Sequence, residues 1–89
     1  GKDGAILVTE KRVYRGSAPN IEAVNPVGSG DSMMGGFCKA IHDEMSECEI
    51  LKLGIACGTA NAMERETGRI DISKVDKLME EIEVNEIFI

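Results

Sequence analysis

The spacing of apolar residues predicts strands near the start of the chain and helices after them. Ala5–Val8 is a short apolar run, and residues 12–16 alternate between polar and apolar positions, so the two segments together predict a β-hairpin. Residues 21–24 predict another short strand. From residue 31 onward the apolar residues recur at helical spacing, at Met34, Phe37, Cys38, Ile41 and Met45. Gly35 and Gly36 weaken this helix by about 1 kcal/mol each, and close approach to a neighbouring strand or to a ligand would explain them.

The second half of the chain predicts two further helices and a strand. Ser46 and Glu49 form a capping-box pattern before a helix expected from about 47 to about 65, with Thr67-Gly68 as its glycine C-cap. The pattern Ser73-x-x-Asp76 is expected to start a third helix. Its apolar face would carry Val75, Leu78, Met79 and Ile82. Residues 83–89 predict a last strand, so the fold class is α/β.

The stretch between the hairpin and the first helix contains the candidate chemistry. Pro26 ends regular structure, and Gly28 and Gly30 allow the backbone to turn with its N–H groups converging. A helix N-terminus after such a turn favours an anion. Asp31 would repel that anion unless it serves as a base that removes a proton from a hydroxyl attacking a phosphoryl group. The alternative is an ordinary tight loop with Asp31 as the helix cap.

Other nucleotide-binding motifs do not fit this stretch. There is no G-x-x-x-x-G-K-[ST] segment, which excludes a P-loop, and the third glycine of a dinucleotide fingerprint is replaced by Met33.

Composition argues against several classes of function. The 89 residues carry a net charge of −6, and no basic stripe is present to neutralise a nucleic acid. No apolar run approaches the ~20 residues of a membrane span, and no signal peptide is visible. Cys38, Cys48 and Cys57 are widely spaced, so we expect reduced thiols in the cytoplasm and neither a disulfide framework nor a zinc site. His42 is expected to be a solvated helix residue without a metal.

The segment from Asn25 to Phe37, beginning Asn-Pro-Val-Gly-Ser-Gly-Asp-Ser, resembles the C-terminal signature of the ribokinase-like (PfkB) carbohydrate kinases. That signature is D-T-x-G-A-G-D, followed by a helix of small residues, and the match is closest to the branch of tagatose-6-phosphate kinases and 1-phosphofructokinases. Kinases of this family are several times longer than 89 residues. The resemblance therefore implies that residues 1–89 are an incomplete domain, the C-terminal nucleotide-binding part of a three-layer ribokinase-like fold.

The resemblance also implies roles within the turn. The last Asp of the signature is the catalytic base in the family, which implies that role for Asp31, with the backbone N–H groups of Gly28, Ser29 and Gly30 lining the anion hole. Asn25 stands where many relatives carry an Asp that helps to bind a monovalent cation, which argues against such a site here. The implied reaction transfers the γ-phosphoryl of ATP, with Mg²⁺, to a ketohexose phosphate such as tagatose 6-phosphate or fructose 1-phosphate.

Four positions outside the turn are implied ATP contacts. Gly1, Lys2 and Gly4 resemble the end of the family's ATP-contacting loop, T/S-L-G-x-x-G, while an ordinary loop with a solvated lysine is the alternative. The small residues of the second helix border the adenine pocket in the family, so Asn61 would either bind the edge of the base or order the loop beside it. Tight packing of that helix on the sheet is the alternative, with Cys57 as a buried thiol.

Two hypotheses follow for the chain as a whole. In the first, it provides the anion hole and the base of a sugar-phosphate kinase. In the second, it is a small non-catalytic α/β module that binds a nucleotide or phosphate, or that only associates with a partner. In both cases strands left uncovered would expose an apolar face and unpaired edges, so self-association is expected.

Overall fold

A computed structural model of the protein describes residues 4–19, 21, 24, 27–64 and 70–88. The elements follow in chain order: β1 (Ala5–Val8), β2 (Val13–Gly16), α1 (Ser29–His42), α2 (Glu47–Ala62), α3 (Ile72–Glu81) and β3 (Val84–Ile87). The predicted α/β order of a hairpin, helices and a last strand is confirmed.

The three strands form one antiparallel sheet in the order β1-β2-β3. Side chains alternate between its two faces, so Leu7 and its neighbour Tyr14 share the inner face, where Tyr14 is buried. The opposite face presents Ile6 and Val8, whose side chains are 62% and 68% exposed. This uncovered face supports the expected self-association, which stays a prediction.

Helix α2 forms the centre of the core. Leu51 and Ile55 are fully buried and lie against Gly16 of β2, while Val75 and Leu78 of α3 close the core from the other side. Full burial of one such aliphatic side chain contributes about 1.5–3 kcal/mol. The apolar face that the spacing predicts for α3 is therefore the face that packs.

Helix α1 lies on the outside of α2, and in the described part of the chain α2 is its only packing partner among the helices and strands. A Cβ at Gly36 would lie 2.9 Å from the carbonyl oxygen of Leu53, and a Cβ at Gly54 would collide with the ring of Phe37. Gly54 of α2 thus admits a helix, whereas Ala56 and Ala60 lie in the core cluster with Tyr14 of β2. The predicted packing of α2 on the sheet is present, and the packing of α1 on its glycines was not predicted. Gly35 faces open space, so close packing explains only one of the paired glycines.

Two further boundaries differ from the predictions. Neither Ile21 nor Val24 lies in a strand, and the other two residues of the predicted strand 21–24 are outside the described residues. Helix α2 ends at Ala62 with Met63 as its C-cap, earlier than predicted, and Thr67-Gly68 lies outside the described residues. Met63 and Glu64, which follow the last helical residue, are good helix formers, so the sequence alone places the end of the helix too late.

The start of α3 is set by a different cap from the one predicted. Asp71 is the N-cap and its carboxylate accepts the N–H of Ser73, whereas Ser73 was expected to cap the helix itself. An Asx residue two positions earlier provides the same acceptor with a shorter reach. The predicted cap at Ser46 is confirmed.

The described residues show no helix with the length and apolar character needed to cross a membrane. Within the same residues, no three His, Cys, Asp or Glu side chains are grouped closely enough to hold a metal ion. His42 is exposed, as predicted, and Cys38, Cys48 and Cys57 are free thiols.

Candidate functional site: the glycine turn at the start of α1

The turn that precedes α1 presents backbone donors. Gly28 is the N-cap, with a left-handed φ of 85° and ψ of −1°, a conformation that glycine adopts without strain. The first helical hydrogen bond runs from the N–H of Ser32 to the carbonyl oxygen of Gly28, at 3.0 Å. The N–H groups of Ser29, Gly30 and Asp31 precede that bond and have no acceptor within the helix. Gly28 has no side chain to cap them. The anion hole predicted at Gly28, Ser29 and Gly30 falls on this turn and stays a prediction.

Asp31 is the third residue of α1 and is exposed to solvent. The alternative in which Asp31 caps the helix is wrong, because Gly28 occupies the capping position. Ion pairs of the described residues involve Asp43, Glu64 and Glu86 and leave Asp31 out. An exposed carboxylate therefore stands on the same turn as the donors, where it can accept a proton.

The first turn of α1 packs against the C-terminal half of α2. A Cβ at Gly58 would lie 3.1 Å from the carbonyl oxygen of Ser29 and 3.3 Å from Cβ of Met33. The N–H of Val24 donates to the carbonyl oxygen of Ala62 at 2.8 Å. The first turn of α1 and Val24 are thus both held against residues 58–62.

The charge of the turn comes from the backbone. The helix dipole places partial positive charge at the start of α1, and Lys39 and His42 stand in its last turn, where cations complement the opposite end. In its first turn α1 carries Asp31 as its acidic residue. Backbone amides that favour an anion and an exposed carboxylate thus share this turn. The role of base predicted for Asp31 stays a prediction.

Asn61 is a buried polar residue with 0% of its surface exposed. Its backbone carbonyl accepts the N–H of Glu64 at the end of the helix. A direct bond from Asn61 to the edge of a base is not available in this conformation. The other predicted role, ordering the adjoining loop, stays a prediction.

Gly4 has a structural reason to be glycine that is independent of a nucleotide. Its φ is 92°, and a Cβ there would collide with the carbonyl oxygen of Gly16. Gly1 and Lys2 lie outside the described residues. The ATP contacts predicted for these positions therefore stay predictions.

Cys57 lies where α1 and α2 touch. Its Sγ is 3.1 Å from the position of a Cβ on Gly36, and partial burial raises the pKa of the thiol. The thiol is consequently neutral at physiological pH and packs as a small apolar group, close to the buried thiol that was predicted.

The chain matches the profile of the pfkB family carbohydrate kinases over residues 1–74. It belongs to the pfkB family. Among the relatives of this pfkB chain, the tagatose-6-phosphate kinase of Staphylococcus epidermidis is 40% identical over 87 residues, which are 98% of this chain and 28% of that enzyme. The chain thus spans little more than a quarter of the length of the curated relatives it matches.

Solved structures agree with the family. A Staphylococcus aureus protein provisionally named a phosphofructokinase is 28% identical, with a TM-score of 0.91 over 98% of this chain and 28% of that one. Phosphofructokinase-2 from Escherichia coli, in complex with potassium, is 24% identical with a TM-score of 0.85, and covers 90% of this chain and 26% of its own. The second likeness shows the fold alone. The resemblance inferred from the segment 25–37 is confirmed at the level of the family and the fold.

The sequence did not indicate what lies beneath the turn of this pfkB chain. In the sequence Gly58 is one of several small residues in α2, and Met33 stands where a dinucleotide fingerprint would have a glycine. The run of small residues was a usable signal that something packs closely on α2. Which helix packs there, and at which glycine, depends on the crossing of α1 over α2.

Proposed function

We propose that this chain provides the phosphoryl-binding turn and the catalytic base of an ATP-dependent sugar-phosphate kinase. The acceptor is a hydroxyl of a ketohexose phosphate, either tagatose 6-phosphate or fructose 1-phosphate. Membership of the pfkB family and the name of the Staphylococcus epidermidis relative support this class of substrate.

One observation carries the proposal: an exposed carboxylate and uncapped amides share the first turn of α1. The backbone conformation agrees with the one that the residue types predict, since Gly28 adopts the left-handed turn and residues 29–31 follow it in helical geometry. A cap made by Asp31 would have left neither a base nor a donor set. The geometry supports Asp31 in the role that the family resemblance implies.

In the proposed reaction Asp31 accepts the proton of the acceptor hydroxyl. The oxygen of that hydroxyl forms a bond to the γ-phosphorus of ATP as the bond from this phosphorus to the β–γ bridging oxygen breaks, which yields the phosphorylated sugar and ADP. The N–H groups of Gly28, Ser29 and Gly30, together with the amide of Asp31, stabilise the negative charge on the transferring group. Preorganised donors of this kind are each worth about 10²–10³ in rate.

We assign the metal that such kinases use mainly to the phosphate oxygens of the nucleotide. The described residues contain no cluster of acidic or imidazole ligands that would bind it. When bound through the phosphate oxygens of ATP, Mg²⁺ neutralises part of their charge. The turn adds its donors to that neutralisation.

The decisive test is Asp31→Asn in the full-length protein that contains this chain. ADP release is followed in a coupled assay with tagatose 6-phosphate and with fructose 1-phosphate, and ATP affinity by isothermal titration. We expect kcat to fall by about 10²–10⁴, the range for removal of a general base. ATP affinity should stay within about twofold, because the amides remain.

Asp43→Asn is the matched control. Asp43 stands just past the other end of α1, where its carboxylate accepts a hydrogen bond from Lys39 at 3.0 Å, so the same chemical change there should leave kcat unchanged. Near-normal turnover by Asp31→Asn would remove Asp31 from the role of base. If the unmodified protein binds ATP but phosphorylates neither sugar phosphate, the non-catalytic phosphate-binding module is the better description.

A further inference from the structure

We propose that Gly58 is a positioning residue for phosphoryl transfer. Because Gly58 has no side chain, the first turn of α1 packs closely on α2, and this close packing fixes the position of the backbone N–H donors. This inference rests on the proposed function. It assigns a catalytic consequence to a residue of a different helix, which touches neither the nucleotide nor the sugar in the proposed reaction.

The contact is made by the backbone of the turn itself. The nearest atom to a Cβ built on Gly58 is the carbonyl oxygen of Ser29, at 3.1 Å, followed by Cβ and Cε of Met33 at 3.3 and 3.4 Å. Distances between 3.0 and 3.4 Å are tighter than nearly all real Cβ contacts, so an added methyl group must push something away by a few tenths of an ångström. Cε of Met33 ends a flexible side chain and can move. The Ser29 carbonyl cannot move without the turn.

Displacing that carbonyl displaces the donors. The carbonyl carbon of Ser29 and the N–H of Gly30 belong to one planar peptide group, so a shift of the oxygen tilts the amide of the neighbouring residue. Asp31 follows directly in the chain. The amides and the carboxylate would then no longer meet the transferring group in their original relation.

The other close glycine contacts of α2 do not reach the turn. Gly54 lies against the ring of Phe37, which belongs to the middle of α1. Gly36, on α1, meets the backbone of α2 around Leu53. Among these three glycines, Gly58 is the one whose contacts fall on residues 29–33.

The test is Gly58→Ala in the full-length protein. We expect kcat to fall by about tenfold, since misplacement by ~1 Å can cost about 10²-fold and the shift here is smaller. KM for ATP should change by less than about twofold. Affinity for ADP with aluminium fluoride, which mimics the transferring phosphoryl, should fall by a factor similar to that in kcat, while affinity for ADP alone stays the same.

Gly35→Ala is the matched control. It is the same substitution in a helix, at a glycine with no atom within 4 Å of the added Cβ, and we expect wild-type kcat and unchanged binding of the fluoride complex. A purely structural role of Gly58 would lower the melting temperature of Gly58→Ala and leave the kcat of the folded enzyme intact. That outcome would overturn the inference.

A double variant separates crowding of the Met33 side chain from displacement of the Ser29 carbonyl group. Met33→Ala removes Cε and relieves part of the overpacking, but it leaves the Ser29 carbonyl beneath the new methyl group. Relative to Met33→Ala alone, Gly58→Ala with Met33→Ala should regain thermal stability and keep the tenfold loss of kcat. This pair carries the test if Gly58→Ala does not fold, and recovery of kcat in it would overturn the inference.

The two proposals fail in different ways. If the proposed function is wrong, the wild-type protein shows no sugar-phosphate kinase turnover, or Asp31→Asn retains it. If only the role of Gly58 is wrong, wild type and Asp31→Asn behave as proposed while Gly58→Ala turns over at the wild-type rate.

Discussion

The three helices of the molecule begin in two different ways. At the start of α2, Ser46 accepts the N–H of Glu49 at 3.3 Å, and its hydroxyl donates to the Glu49 carboxylate at 3.1 Å. At the start of α3, Asp71 accepts the N–H of Ser73 at 3.0 Å. Helix α1 begins at Gly28, which offers no side chain and holds a left-handed backbone instead. Helices α2 and α3 thus have closed starts, in which a side chain caps a backbone N–H group, and α1 has an open start without such a cap.

The two kinds of start differ in how much they stabilise the helix and in whether they leave its first backbone amides free to bind a ligand. A capping side chain satisfies an amide and typically stabilises a helix by about 1 kcal/mol relative to alanine, whereas glycine at the same position is only a few tenths worse than a good cap. Gly28 therefore leaves α1 stable enough while its first amides remain open to an external acceptor. The closed starts suit helices with a structural role, and the open start suits a helix whose end binds something.

Closing the open start should produce the largest effect. Gly28→Ser places a residue with a Cβ at positive φ, which strains the backbone by about 1–2 kcal/mol. The extended conformation that Ser46 adopts, with φ −64° and ψ 160°, would relieve the strain and bring the hydroxyl to the amides of the turn. We expect kcat to fall by about 10²–10³, as for loss of an oxyanion donor, with little change in melting temperature.

Gly35→Ser places the same side chain on the exposed surface of α1 and serves as the control for Gly28→Ser. Its steady-state kcat should equal that of wild type. If Gly28→Ser also turned over normally, the open start would have no catalytic meaning, and the contrast among the three helices would be one of sequence alone.

Opening a closed start should affect stability and leave turnover unchanged. Ser46→Ala leaves the N–H of Glu49 without its side-chain acceptor, so the free energy of unfolding from urea titration should fall by about 1 kcal/mol. Ser46→Gly should cost only a few tenths. Wild-type kcat is expected in both. A loss of turnover in Ser46→Ala would mean that the start of α2 also serves the site.

Local pattern predicted the elements because each depends on residues close in sequence. The hairpin follows from the alternation around β1 and β2, and the buried face of α3 follows from the spacing of Val75, Leu78 and Ile82. The end of α2 and the cap at Asp71 were misplaced, since periodicity does not encode which of two neighbouring Asx or Ser residues reaches the backbone. The packing of α2 on the sheet was predicted and is present. The packing of α1 on Gly54 and Gly58 was not predicted, because it depends on tertiary structure.

The site was predictable to the extent that it is local. Gly28 in a left-handed turn and Asp31 on the first helical turn follow from one short segment, and both lie where the sequence placed them. The support beneath them does not, because the contact between Gly58 and the Ser29 carbonyl joins two helices that cross. The burial of Asn61 was equally hidden, since a polar residue among small ones suggests access to a ligand until the packing is known.

The closed start of α3 makes a smaller prediction, in acid. The hydroxyl and the N–H of Ser73 donate to the Asp71 carboxylate at 2.7 and 3.0 Å and hold its pKa below its ordinary value. A carboxylate whose folded pKa is depressed stabilises the protein above its unfolded pKa, and this contribution is lost as pH falls through the folded value. Chemical denaturation of wild type and Asp71→Asn should therefore converge as the pH drops below about 4. Ser73→Ala removes the shorter of the two hydrogen bonds and leaves the N–H of residue 73 in place. An NMR titration of this variant should show the pKa of Asp71 closer to its usual value than in wild type. The same pKa in both would mean that the Ser73 hydroxyl does not lower it.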